Sequence, residues 1–158
     1  MGEMNSRTAE LLKAMLYKLN LRTDKMFGGL MIAQWIFGIG CAVFLSPYAW
    51  NGNISSVHPH IWVALLMGGL LTFVSLTFVS MHPGQVITRH VIAVSQMLMS
   101  ALLIHLTGGR IETHFHVFGS LAFLAFYCDW KVLITGTVVV VVDHILRGVY
   151  WPQSAFGL

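Results

Sequence analysis

Between Lys25 and Arg89 the chain contains no Asp, Glu, Lys or Arg, and the stretch from His90 to Gly109 is equally free of them. Such runs reach or exceed the roughly 20 apolar residues that carry an α-helix across a bilayer. Inside lipid a backbone must satisfy its own hydrogen bonds, so only helices and closed barrels can span it. Barrel strands alternate apolar and polar residues, whereas these runs are continuous. Composition agrees. Hydrophobic residues make up 56% and charged residues 9%, against about 25% charged in soluble domains, and mean hydropathy is +0.74. A disordered chain and a water-soluble globule are both excluded. The expected fold is an all-α membrane protein, a bundle of about five transmembrane helices preceded by an amphipathic interfacial helix.

Five spans follow from the apolar runs and the turn signals between them. The first runs from about Phe27 to Leu45 and stops at Ser46-Pro47, before a polar loop through Asn51, Gly52 and Asn53. The second covers Ile61 to Ser80 and ends at His82-Pro83-Gly84, a strong turn sequence. The third runs from about His90 to Leu106 and is closed by Thr107-Gly108-Gly109; the fourth, His114 to Tyr127, is short; the fifth, Val132 to Tyr150, stops at Trp151-Pro152. Ahead of them, Leu11, Leu12, Met15, Leu16 and Leu19 recur at helical spacing among Arg7, Lys13, Lys18, Arg22 and Lys25. This reads as a surface-lying amphipathic helix, with no apolar core or cleavage site of a signal peptide. Residues 1–25 are therefore expected as a cytoplasmic amphipathic segment and 26–158 as a single transmembrane domain.

Orientation follows from the cations. With the amino terminus inside, the inner side holds Arg7, Lys13, Lys18, Arg22, Lys25, Arg89 and Lys131, and the outer side only Arg110 and Arg147; together these are all nine. The expectation is a multi-pass protein of the bacterial inner membrane with its carboxyl terminus outside. Trp50, Trp62, Trp130 and Trp151 fall near span ends, as interface-anchoring aromatics do. A pI near 9.1 comes without a dense basic patch, so no nucleic-acid partner is read from it. Cys41 and Cys128 fall near opposite faces and form no CxxC motif; both are expected as small buried apolar residues, not a disulfide.

This topology sorts the eight histidines. His82 and His90 lie at the inner face. His58, His60, His105, His114, His116 and His144 lie at or near the outer face, with Glu112 and Asp143 among them. Imidazole binds zinc, copper, iron and nickel, and carboxylates complete such shells. Intramembrane ionisable groups such as Asp143 and His144 are costly and usually functional. The expected site is therefore a transition-metal centre built from His58, His60, Glu112, His114, His116 and Asp143, with copper or zinc favoured and iron next. Haem held by His105 and His144 is the alternative cofactor. Against this stands a plainer reading in which the histidines are interfacial hydrogen bonders and Asp143 simply pairs with Arg147 at i+4. Gln34, Ser95, Gln96 and Ser100 are polar within spans and are expected to join helices; Gly28-Gly29 and Gly68-Gly69 allow close helix contact.

The run from His105 through Gly108-Gly109-Arg110-Ile111-Glu112-Thr113-His114-Phe115-His116 to Tyr127, then Asp129-Trp130, resembles the amino-terminal membrane domain of certain bacterial signalling proteins. These are sensor histidine kinases, chemotaxis-type receptors and diguanylate cyclases. The likeness extends to Gln34-Trp35, Ser46-Pro47, Trp50-Asn51-Gly52, His58-Pro59-His60, Thr88-Arg89-His90, Val142-Asp143-His144 and Trp151-Pro152-Gln153-Ser154. It implies a multi-span sensory input module and not an enzyme in itself. Cys128 stands where the family has an arginine, and family members continue into further membrane sequence and a cytoplasmic transmitter. A chain ending at Leu158 is thus expected to be a truncated version or a stand-alone relative. The main rival is an accessory subunit of a larger respiratory or photosynthetic membrane complex, with a histidine on a haem or chlorophyll-type pigment. A small metal-dependent membrane oxidoreductase or carrier is a third class. The bilayer, and protein partners in the membrane or a second copy, are the expected partners.

Overall fold

The computed structural model describes residues 2–45, 48–51 and 54–156. Among them the chain is an all-α membrane protein with one short hairpin. Helix α1 (Gly2–Leu45) is followed by the antiparallel strands β1 (Tyr48–Asn51) and β2 (Ile54–Val57), with Tyr48 opposite Val57. Then come α2 (Pro59–Met81), α3 (Val86–Leu106), α4 (Ile111–Leu124) with a 3-10 turn at Ala125–Tyr127, α5 (Trp130–Tyr150) and the short α6 (Pro152–Phe156). The stop at Ser46-Pro47 and the tip at Gly52-Asn53 lie outside the described residues.

Among the described residues, four helices are long and apolar enough to cross a membrane: Ser6–Leu45, Pro59–Met81, Val86–Leu106 and Trp130–Tyr150. Helix α4 has 14 residues, about 21 Å at 1.5 Å per residue, short of a bilayer core. With its 3-10 extension it still runs the length of the bundle. Thr113 near its start bonds Thr107 at the end of α3 (2.9 Å), and Tyr127 at its far end donates to Asp24 of α1 (2.7 Å).

The amphipathic segment is not a separate helix. α1 continues unbroken for 44 residues through Lys25 and Met26, roughly 66 Å. No Gly or Pro interrupts residues 3–27, so nothing in the sequence forces the turn that a surface-lying helix would need. Its last turns before the apolar run already belong to the bundle, since Asn20, Thr23 and Asp24 are buried there.

Helix α3 is the centre, with 61% of its apolar stretch buried against 11% for α5. The core joins Phe27, Ile92, Ala93, Met97, Ile104, Val117, Leu124, Tyr127 and Val132, with Phe27 and Tyr127 stacked at 5.7 Å. The expected close approach at Gly68-Gly69 is present. The Trp35 indole lies over both, where a Cβ on Gly68 would come within 2.7 Å of it, and its Nε1–H donates to Ala64 O (3.2 Å).

Two ends result. At one, α1, the α2–α3 turn and the start of α5 bring together Asp24, Gly84, Arg89, Tyr127 and Asp129. Asp24 Oδ2 accepts from Gly84 N–H (2.6 Å), and Arg89 pairs with Asp129 (3.4 Å). Gly84 holds φ +74°, which glycine alone adopts freely, and it sits against the Tyr17 ring. At the other end lie the start of α2, the ends of α3 and α5, and α6. Cys128 does not lie in a buried position. It is exposed, at φ 51° in the turn between α4 and α5 that brings Asp129 to cap α5 through Lys131 N–H (3.1 Å). Cys41 is half-buried and both thiols are free.

Candidate functional site

His58, His60 and His105 form one column of rings. His58 caps α2, its Nδ1 accepting from His60 N–H (3.1 Å), a cap that a loop residue just before Pro59 at the first helical position is well placed to make. The His58 and His60 ring centroids lie 4.3 Å apart, and His60 and His105 4.9 Å, both edge to face. Beyond His105 comes the Trp151 ring at 5.0 Å. His105 Nδ1 bonds Ser154 Oγ (2.9 Å), so the restart of helix at Pro152 places α6 against this column. His60 Nδ1 is buried and has no hydrogen-bond partner.

Asp143, His144 and Arg147 stand beside it on α5. Arg147 is paired with Asp143, as the plainer reading of that spacing anticipated; it also donates to Ala101 O (3.2 Å) and Ser154 O (3.3 Å). These bonds tie α5 to α3 and α6, so the guanidinium has a structural task in this half-buried place. His144 Nδ1 bonds Val140 O (3.0 Å), and its ring meets His114 at 5.7 Å. His114 Nδ1 in turn bonds Arg110 O (3.0 Å). Glu112, in the first turn of α4, is exposed.

The sequence-selected residues thus fall into three places instead of one cluster. His58, His60 and His105 share a column; His114, His144 and Asp143 form a second group; His116 points elsewhere. The i, i+2 spacing of His114 and His116 explains the split. Both lie inside a regular α4, which begins at Ile111, so their side chains diverge by about 200°. The unwound start that would let them converge is absent, because the positive-φ residues Gly108 and Gly109 complete their turn before the helix begins. His105 and His144, the haem pair, likewise belong to different ring groups. Among the described residues no three His, Cys, Asp or Glu side chains are gathered as metal ligands.

His116 enters a polar network in the middle of the bundle. Gln34 Nε2 lies 3.1 Å from its Nε2, and Ser100 Oγ 2.8 Å from its Nδ1. Ser100 Oγ also bonds Gln96 O (3.0 Å), and Gln96 Nε2 donates to Ser120 Oγ (2.8 Å). Helices α1, α3 and α4 are joined here, as the polar in-span residues led one to expect. Ser120 was not among the residues singled out, although its i+4 spacing from His116 was visible.

With this geometry in view, comparison with known proteins adds one point. The chain is similar to the transducer protein Htr8 of Halobacterium salinarum, 32% identical over 92 residues, or 58% of this chain. The match covers 14% of that much longer relative. No family model matches, and no solved structure does.

At the opposite end, sequence reasoning passed over Asp24 and Tyr127. The carboxylate is 1% exposed and takes both Gly84 N–H and Tyr127 O–H. Burial first, then the Asp24 carboxylate, pushes the Tyr127 phenol well above its ordinary range. The available signal was an acid just ahead of a long uncharged run, in a chain with few acids.

Proposed function

We propose that this chain is a membrane-embedded sensory domain of a signalling protein, set in the cytoplasmic membrane with its amino terminus inside. The observation that carries the reading is the 92-residue similarity to a transducer, in a chain that is otherwise a helical membrane bundle. The cation distribution supports the orientation. It puts Asp24, Arg89 and Lys131 at the cytoplasmic end and the ring column of His58, His60 and His105 at the outer end.

The ligand class that suits the outer end is a transition-metal ion, copper or zinc before iron. Such an ion would begin from His60, whose Nδ1 is buried without a partner, with His58 and His105 as the adjoining imidazoles. His116 is less suited because both its ring nitrogens are engaged by Gln34 and Ser100, Asp143 because it is paired with Arg147, and Glu112 and His114 because they lie outside the column. Haem on His105 and His144 is the second cofactor to test, through its visible spectrum.

The test is a zinc and copper titration of the purified full chain in lipid nanodiscs, followed by calorimetry, with an absorption spectrum of the protein as isolated. Saturable binding near one ion per chain, lost in His60→Ala and kept in His82→Ala, is expected. Equal binding by both variants would refute the outer site, and an intense Soret band would replace the ion with haem.

A further inference from the structure

The Gln34–His116 network has an open side. Leu30, Ala33, Gln34, Phe37, His116, Gly119, Ser120 and Phe123 line a groove of about 370 Å³ between α1 and α4. This is near the lower end of ordinary small-molecule sites, the size of one or two fused rings and not of a lipid. Its mouth faces outward from the bundle, since Phe37 is 59% and Phe123 42% exposed. Both helices are uncharged at this level, so the mouth opens toward the bilayer.

The floor of the groove carries an unmet polar demand. If His116 Nε2 accepts from Gln34 Nε2, then Nδ1 carries the ring proton and donates to Ser100 Oγ, whose own hydrogen goes to Gln96 O. The imidazole N–H and the Ser100 hydroxyl are both spent, so neither can turn to Gln34 Oε1. Gln34 Oε1 is left buried with no donor, on a residue only 7% exposed. Its amide nitrogen gives His116 one of two hydrogens. An unpartnered amide oxygen in a membrane interior is costly, because no bulk water reaches it. A hydroxyl is the group that meets this demand, since it donates to Oε1 and accepts from the remaining N–H.

The geometry points to a binding site here for a membrane-dissolved, ring-sized apolar molecule bearing a hydroxyl group. The molecule enters from the bilayer, packs between Phe37 and Phe123, and places its O–H on Gln34. Gly119 supplies the space: a Cβ added there meets nothing within 4 Å. The site is separate from the histidine column, and its test does not depend on metal binding.

The experiment compares 1-naphthol with its methyl ether, 1-methoxynaphthalene, by saturable fluorescence change on full-chain nanodiscs above the partition into empty ones. The phenol is expected to bind at least tenfold more tightly than the ether. Gly119→Leu fills the groove without touching the network. It is expected to weaken phenol binding at least tenfold while the helical circular dichroism and unfolding midpoint are kept. Gln34→Leu is expected to leave the two probes equal. Equal binding of both probes by the parent protein, or undiminished binding by Gly119→Leu, would overturn the proposal. So would displacement of the phenol by a monoacylglycerol at tenfold lower concentration, which would make the occupant a lipid headgroup.

Discussion

Replacing Asp24 by Ala is expected to loosen the end of the bundle where α1, the α2–α3 turn and the start of α5 meet. The carboxylate is 1% exposed and accepts two hydrogen bonds, from Gly84 N–H at 2.6 Å and from Tyr127 O–H at 2.7 Å. Removing it strands the buried Tyr127 hydroxyl, at about 1–3 kcal/mol, and the half-buried Gly84 N–H, at less. The unfolded chain in a micelle finds other partners for such groups, which lowers the net effect, so about 2 kcal/mol is expected. Asp24→Asn keeps an acceptor for Gly84 and should cost about half as much. Tyr127→Phe should cost about 1 kcal/mol. Because both residues share one bond, the double variant should fall short of the sum by at least about 0.5 kcal/mol. The assay is equilibrium unfolding in mixed micelles at several pH values. Tyr127 holds its proton in the folded state when the unfolded chain, titrating near pH 10, has lost it. Its contribution is therefore complete below about pH 10 and falls as pH rises above it, a slope that Tyr127→Phe should remove. Additive single effects, or an unchanged alkaline slope, would refute the reasoning.

Gly68→Ala should shift Trp35 out of its seat, since the new Cβ would lie 2.7 Å from the indole; a loss of about 1–3 kcal/mol is expected from overpacking. Gly29→Ala, with nothing within 4 Å, should instead be neutral or gain up to about 1 kcal/mol in helix propensity, and the pair is compared by thermal unfolding. A membrane-impermeant maleimide should label exposed Cys128 readily in inverted vesicles and poorly in right-side-out ones, with half-buried Cys41 slow in both. The reverse order would invert the orientation.

The spans were legible because lipid imposes a length and an uncharged composition. Ile61–Ser80 became Pro59–Met81 and Val132–Tyr150 became Trp130–Tyr150. The surface-lying helix expected for residues 1–25 is instead the first half of α1, because amphipathic spacing reports which face is apolar and is silent about whether the helix continues into the next span. Here Asn20, Thr23 and Asp24 are buried in the bundle, and Asp24 bonds Gly84 and Tyr127, which holds the first half of α1 against the other helices. That His58 and His60 meet His105, and His114 meets His144, accords with the order of the spans, whereas His116 lies in the interior of the bundle. The division of the histidines into a column, a pair and an interior residue was not legible, since it depends on the phase at which α4 starts. A start at Ile111 turns His116 toward Gln34 and Ser100 and His114 toward His144. Asp24 escaped notice because its partners, Gly84 and Tyr127, are 60 and 103 residues away.

A sensor must pass an event at the histidine end to the end where α1 emerges, and Cys128 lies exposed at that far end. The most direct measurement is the ¹⁹F spectrum of a trifluoromethyl label on Cys128 in a Cys41→Ser background, recorded as zinc is added to the full chain in nanodiscs. The account predicts a saturable shift of the label resonance that tracks metal occupancy and disappears in His60→Ala. A label that stays unmoved while zinc binds would contradict it, and would make the column a passive metal holder instead of a detector.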